Sequence, residues 1–514
     1  MSNRIARLCR SCCFFFALAA LAMLLTVRGS AQLLINTTVT YGAGVPCING
    51  ISVGDFDKDG KVDVVLASGC SFQSAPEPGA VALLLGKGDG TFRPPRKLVT
   101  GGFRTVSVQA ADVNGDGNPD LVTANTCATL ACTNGNIAVR LGKGDGTFFG
   151  PIRTPTFNVG RIAVSDLNGD GKPDIVSDGC PTLGCRFSAI NVRLGKGDGT
   201  FGAPDTYAST AGIFGIAISD VNQDDIQDIV ISSATVGVML GKGDGTFENA
   251  TSYESGGLSA QGVTVADVNG DGLADIIVVN SKACDSCLHS SLGILLGNGD
   301  GTFQAAHVVP LAAPLGSAVA SIDLNGDSIS DMVVAHCTLG FSDGFRCPDD
   351  SGIVETILGR SDGAFSSTNT LRSGGVNAIG LAIADVNSDG LSDVLAANNQ
   401  GVSNGNGTLG LILHNNRLLK SSSVAVASDH NPSLVGESVT FTATITAAGH
   451  TIPNGELVTF FDGAIVIGTA KTHGGRASFA TSTLSPKQHT MKAIYSGDAT
   501  FKPNASTVKQ VVQK

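Results

Sequence analysis

Seven times between Asp55 and Asp393 the chain repeats a nine-residue pattern, Asp-x-Asn/Asp-x-Asp-(usually Gly)-x-x-Asp. The copies begin at Asp55, Asp112, Asp166, Asp220, Asp267, Asp323 and Asp385, at spacings of 57, 54, 54, 47, 56 and 62 residues. Side-chain oxygens at positions 1, 3, 5 and 9 of a short loop, with a turn residue at position 6, suit a hard cation such as Ca²⁺. The candidate ligands are Asp55, Asp57, Asp59 and Asp63; Asp112, Asn114, Asp116 and Asp120; Asp166, Asn168, Asp170 and Asp174; Asp220, Asn222, Asp224 and Asp228; Asp267, Asn269, Asp271 and Asp275; Asp323, Asn325, Asp327 and Asp331; and Asp385, Asn387, Asp389 and Asp393. With four aspartates, the first loop is expected to bind most tightly. Asp225 and Ser328 stand where the turn favours glycine, so the fourth and sixth sites are expected to be weaker, a side chain there costing about 1 kcal/mol. Crowded carboxylates repel one another until a cation neutralises them, which points to a structural role for up to seven ions.

The segments that must hold these loops share one grammar. Apolar residues lie four and two places before the first Asp, as in Ile51/Val53, Val108/Ala110, Ile162/Val164, Ile216/Ile218, Val263/Val265 and Leu381/Ile383; Val319/Ser321 blurs the pattern. Period two predicts a strand. The last Asp leads into a second apolar run such as Val64-Val65 or Ile276-Ile277, and a third follows a variable segment, as at Val81–Leu85. Gly-Lys-Gly-Asp-Gly-Thr-Phe then closes the unit at Gly86–Phe92, Gly142–Phe148, Gly195–Phe201 and Gly241–Phe247, with variants at Gly297–Phe303 and Gly359–Phe365. Asp-Gly marks a tight hairpin into a fourth strand. Four antiparallel strands in about 55 residues, repeated radially, make a propeller blade. Seven loops predict a seven-bladed β-propeller. The seventh unit lacks the closing turn, and its outer strand is expected from Asn36–Gly42, which would close the ring and cover an open edge.

These residues resemble the FG-GAP/VCBS repeat family, whose repeats also build the head of integrin α-subunits. The likeness covers roughly residues 36–416. It implies a seven-bladed propeller with Ca²⁺ in the loops between first and second strands. It also implies recognition or adhesion as the role, although some lyases and dehydratases carry related repeats.

Residues 1–31 read as an export signal: Arg4, Arg7 and Arg10, an apolar stretch from Phe14 to Thr26, and Gly29-Ser-Ala31 before Gln32. No membrane span is expected once it is removed, and the chain is expected to be secreted or cell-surface. The net charge of −11 becomes −15 without the four signal arginines, which argues against nucleic acid. Seven divalent ions would bring it to about −1. Ten cysteines remain outside the signal, in local couples that predict disulfides: Cys47 with Cys70, Cys127 with Cys132, Cys180 with Cys185, Cys284 with Cys287, and Cys337 with Cys347. Zinc at Cys284-Asp-Ser-Cys287 is the weaker alternative.

Because strand direction alternates, the metal loops and Gly-Asp-Gly turns share one face. The variable, cysteine-bearing loops lie on the other, the expected binding surface for an extracellular glycan or surface protein. No nucleophile elbow, HExxH or phosphate loop is present, so no catalytic or cofactor-binding residue is assigned. Asp349-Asp350 or Glu355 as an acid or base is the alternative to a solvated loop, in a lyase or hydrolase reading; a purely architectural envelope protein is the third. Residues 32–417 are assigned to the propeller and 418–514 to a second domain. There Val424–Ser428, Ser438–Ala447, Leu457–Asp462, Ala464–Ala470, Ala477–Thr481, Gln488–Ser496 and Val508–Val512 read as strands of a sandwich. Tyr495-Ser-Gly-Asp-Ala-Thr-Phe501 resembles the end of bacterial immunoglobulin-like repeats, which implies a spacer or weak adhesion module. The whole is therefore expected to be all-β, a seven-bladed β-propeller followed by an Ig-like β-sandwich.

Overall fold

The computed structural model describes residues 35–514 apart from 71–77, 133, 180–188, 209–211, 283–288, 325–328, 338–351, 361–363, 401–405, 415–421, 448–450, 464, 496–500 and 502–503. The export signal and the couples Cys180/Cys185, Cys284/Cys287 and Cys337/Cys347 fall wholly or partly outside them, as do Asn325, Asp327 and the pair Asp349-Asp350. The chain is all-β, with repeated four-stranded sheets of the kind that form propeller blades and a C-terminal β-domain.

Each repeat folds as an antiparallel meander whose loops follow the sequence grammar. In the first, Ile48–Gly54 pairs with Asp63–Ser68 across the acidic loop, and Asp63–Ser68 pairs with Pro78–Leu84. The long strand Arg96–Ala111 is the outer strand of this unit and the inner strand of the next. Its register is interrupted between Val99 and Phe103, and two meanders join through it in one seven-stranded sheet. Among the described residues five further sheets of the repeat region have four strands each. The last contains the expected exchange: Ile35–Pro46 pairs antiparallel with Asn406–His414, with Thr40 opposite Gly410.

Inner strands contact one another in sequence order. Ile48–Gly54 meets Arg96–Ala111, followed by Ile162–Ser165, Gly215–Ser219, Leu258–Ala266, Gly316–Ile322 and Val376–Ala384, and the last meets Ile48–Gly54 again. Apolar cores lie between successive sheets. Val64 and Leu66 face Leu395 and Leu411 of the last sheet, whereas Val65 and Ala67 face Val108 and Leu121 of the next unit. The second strand of each unit is thus buried on both faces, and reads as an unbroken apolar run instead of an alternating one.

The C-terminal domain pairs a three-stranded sheet (Ser423–Ser428, Val439–Thr446, Arg476–Thr481) with a five-stranded one (Ser433–Leu434, Asn504–Gln513, Gln488–Tyr495, Leu457–Asp462, Ile465–Lys471). Phe441, Phe460 and Tyr495 fill its core. The short Ser433–Leu434 strand, parallel to the C-terminal strand, carries no sequence signal of its own.

Candidate metal centre

Every described acidic loop is held in one shape by its own carboxylates. In the second, Asp112 Oδ1 accepts the backbone N–H groups of Gly115 and Asp116 at 2.8 and 3.1 Å, and its Oδ2 accepts Gly117 N–H at 2.7 Å. Asp55, Asp166, Asp220, Asp267 and Asp385 occupy the same role in their loops. Asp116 Oδ1 accepts from Asn118 N–H at 2.8 Å, and its Oδ2 accepts from Asn114 Nδ2 at 3.0 Å. Asn168, Asn222, Asn269 and Asn387 likewise accept or donate within their loops. Asp170, Asp224, Asp271 and Asp389 accept the N–H two residues on.

The loop bends through two left-handed positions. The sixth is Gly60, Gly117, Gly171, Gly272, Gly390 and, as expected of the fourth loop, Asp225 at φ 64°. The fourth is also left-handed, and there Lys58, Gln223 and Ser388 stand at φ 54–62° where three other loops have glycine.

The last aspartate of each loop has a role that composition did not reveal. Asp63, Asp120, Asp174, Asp228, Asp275, Asp331 and Asp393 are fully buried. Each accepts the N–H of the loop's second residue on Oδ2 and an N–H of the closing turn on Oδ1, at 2.7–3.1 Å. The turn donor is the first glycine of the heptapeptide (Gly86, Gly142, Gly195, Gly241, Gly297, Gly359), and His414 in the last unit. A Cβ on any of those glycines would lie 2.1–2.6 Å from the carbonyl oxygen preceding the aspartate, so the contact requires glycine. Burial raises Asp63 and Asp120 to about 6 and Asp393 to about 7, the N–H groups opposing the shift and the other loop carboxylates adding to it. Asp174, Asp228 and Asp275 are raised for the same reasons.

A cation fits this chemistry. Asp55, Asp57 and Asp63 each bring a carboxylate oxygen within 4.8 Å of the others. Asp57 Oδ1 is buried there with no hydrogen-bond donor. Three carboxylates converging in this way, with an unsatisfied oxygen on Asp57, can supply part of the oxygen shell of a hard divalent ion. The buried aspartates of the other loops share the backbone frame, with asparagine in place of Asp57.

The first loop also carries its own cations. Arg93 Nη1 lies 3.2 Å from Asp57 and Nη2 3.8 Å from Asp59, while Lys61 Nζ lies 2.9 Å from Asp59 and holds that carboxyl below its usual range. These contacts offset the extra negative charge from which the tightest binding is expected. Lys58 reaches toward the neighbouring loop, where Asp116 is held low first by the Asn114 side chain and the Asn118 N–H and only lastly by the Lys58 charge.

Neighbouring units meet on this face. Gly90 N–H of the first closing turn donates to Val386 O of the last loop at 3.0 Å, and Gly146 N–H donates to Phe56 O of the first loop at 2.9 Å. The turn phenylalanines pack on the preceding unit: Phe92 edge-on to Tyr41, Phe247 to Tyr207, Phe303 to Tyr253, and Phe148 tilted on Phe56.

At the strand ends remote from the loops, Cys47 is bonded to Cys70 and Cys127 to Cys132. Glu355 is not in a solvated loop. It lies buried in Gly352–Leu358, accepts Ala312 N–H at 3.0 and 3.1 Å, and sits 3.3 Å from buried His336. Ser290 Oγ is 3.4 Å from the other ring nitrogen of His336. All three side chains are shut away from solvent, so the group is a core polar cluster.

Comparison with known families agrees with this architecture. The FG-GAP-like repeat model matches residues 55–123 and 220–278, and the bacterial Ig-like domain (group 3) model matches residues 426–513. The chain therefore carries FG-GAP-like repeats and a C-terminal bacterial Ig-like domain. No curated protein matches it at a significant level.

Proposed function

We propose that the chain is an exported, Ca²⁺-stabilised seven-bladed propeller with an Ig-like domain, acting as an extracellular binding or adhesion protein for a glycan or surface protein. The cyclic succession of inner strands and the exchanged N-terminal strand support closure and blade number. The converging Asp55, Asp57 and Asp63 support Ca²⁺ at positions 1, 3 and 9 of the first loop, and the repeated backbone frame supports extending that reading, with position 5, to up to seven loops. The two disulfides support an oxidising, extracellular setting. Among the described residues no helix is long and apolar enough to cross a membrane.

The observation that carries the binding role is the division of labour between the two ends of the strands. One end repeats the same carboxylate–backbone bonds in unit after unit, whereas the other bears the disulfides and segments of differing length. A scaffold of that kind frees one face to vary with its ligand. The test is an array of glycans and immobilised matrix proteins probed with the mature chain, with and without EDTA, and with eluates checked for cleavage. Saturable, Ca²⁺-dependent binding without cleavage is expected. Shortened glycans would make the protein an enzyme, and silence across the array would refute the binding role.

A further inference from the structure

An open cleft of about 450 Å³ lies where the first two units meet, between the outer strand of one and the outer hairpin of the next. Its walls are Pro78, Val99, Phe103 and Pro151, and two arginines, Arg140 and Arg153, stand in it. Arg153 is paired with Ala138 in the Gly135–Arg140/Ile152–Thr156 hairpin, so Arg140, two residues on from Ala138, projects from the same face of the sheet. Both side chains reach across to the neighbouring unit. Arg140 Nε donates to Val99 O at 2.6 Å and its Nη1 to Phe149 O at 2.7 Å, while Arg153 Nε donates to Gly101 O. Gly101, at φ 97°, brings its carbonyl there, and a Cβ on it would strike Pro151 and Arg153.

The guanidiniums are thus fixed in place by carbonyls and not by carboxylates. Among the described residues neither forms an ion pair, and no acidic side chain lines the cleft. Arg140 is half-buried, and burial together with the adjacent Arg153 charge holds it below its usual range. Two cations side by side with no carboxylate beside them among the described residues are unusual in a chain of net charge −11. Such forks, with outer nitrogens left over, pair with carboxylates in preference to neutral groups. Val99 is 50 % exposed at the rim, so the same cleft offers an apolar wall.

We propose that this cleft is a subsite for a uronate-bearing oligosaccharide, an inference that rests on the binding role above and names its ligand class. A uronate ring presents a carboxylate and an apolar C–H face together, which matches paired arginines beside Val99, Phe103 and the two prolines. An acidic peptide would supply the charge without the apolar face.

The test is calorimetric titration of the Ca²⁺-loaded mature chain with a glucuronate-containing tetrasaccharide, its carboxyl-reduced counterpart and tetraglutamate. Saturable binding of the uronate alone is expected, falling about tenfold or more in Arg153→Gln. Arg153 is exposed with one bond to a carbonyl, so the variant's thermal midpoint should be unchanged. Val99→Asp, which places a carboxylate in the cleft without altering either arginine, should abolish binding. Equal affinity for the carboxyl-reduced sugar, tetraglutamate binding in its place, or indifference to both substitutions would overturn the proposal. If the array shows neutral glycans or proteins bound equally by wild type and both variants, the cleft is refuted and the binding role stands. Silence of the array as well refutes both.

Discussion

Asp120 illustrates how one carboxylate can hold a loop to its closing turn and still be available to a cation. Its two oxygens tie the start of an acidic loop to the first glycine of a closing turn, and lone pairs remain for a cation. Without metal, burial and then the neighbouring loop carboxylates penalise ionisation of Asp120 and push it up to about 6. Folded-state values of about 6 for Asp63 and Asp120 and about 7 for Asp393 lie above the unfolded carboxylate range. The folded chain therefore binds more protons than the unfolded one between about pH 4 and pH 7. In EDTA, the thermal midpoint should fall as pH rises through that window; with saturating Ca²⁺ the fall should shrink or reverse, since the ion replaces the proton. A pH-independent midpoint in EDTA would contradict this. Arg93 gives a second residue-scale prediction. Removing its contacts with Asp57 and Asp59 in Arg93→Gln should tighten Ca²⁺ at the first loop about two- to fivefold, as read by Tb³⁺ luminescence competition. The four acids of this loop were plain in the sequence, but the arginine 36 residues from Asp57 was not, because only the folded hairpin brings it there.

At the scale of the element, the closing turn joins loop, hairpin and neighbouring unit. Gly142 donates to Asp120 while lying too close to Pro119 O for any Cβ. Gly142→Ala should destabilise the protein by about 1–3 kcal/mol through forced displacement, measured as a shift in denaturant midpoint. An unchanged midpoint would mean that the turn gives way freely. The exchanged strand makes a sharper test. Deleting residues 35–46 should expose the Asn406–His414 edge, lower the thermal midpoint and cause self-association visible by size-exclusion chromatography. Much at this scale was legible. Period-two pairs such as Ile51/Val53 marked inner strands, Asp-Gly marked hairpins, and the missing seventh turn pointed to the N-terminal strand. Other features had no local signature. Lys58, Gln223 and Ser388 occupy left-handed positions that their residue types do not announce, although glycine at the same place in three sister loops was an available clue. Glu355 looked like a loop acid because its burial against His336 and Ala312 depends on a neighbouring strand.

Across the whole molecule, acidic loops, closing turns and interleaved apolar cores all join one unit to the next. Val64 and Val65, adjacent in sequence, belong to cores on opposite sides of one sheet. Stability should therefore be shared around the ring, and a cation lost from one loop should loosen the turn of its neighbour, as the Phe56–Gly146 and Val386–Gly90 bonds imply. The repeat period made this arrangement readable in outline. The Arg140–Arg153 cleft was not readable, since it exists only where two units meet and its residues come from five separate segments. A cation that binds only the folded chain adds about 2.7 kcal/mol per site at a hundredfold excess over its dissociation constant. The most direct test is native mass spectrometry of the mature chain dialysed against Ca²⁺, with a parallel thermal melt before and after EDTA. The account predicts several bound Ca²⁺ ions, up to one per acidic loop, and a marked drop in thermal midpoint when they are removed. A chain that retains no Ca²⁺ and melts at the same temperature in EDTA would contradict it.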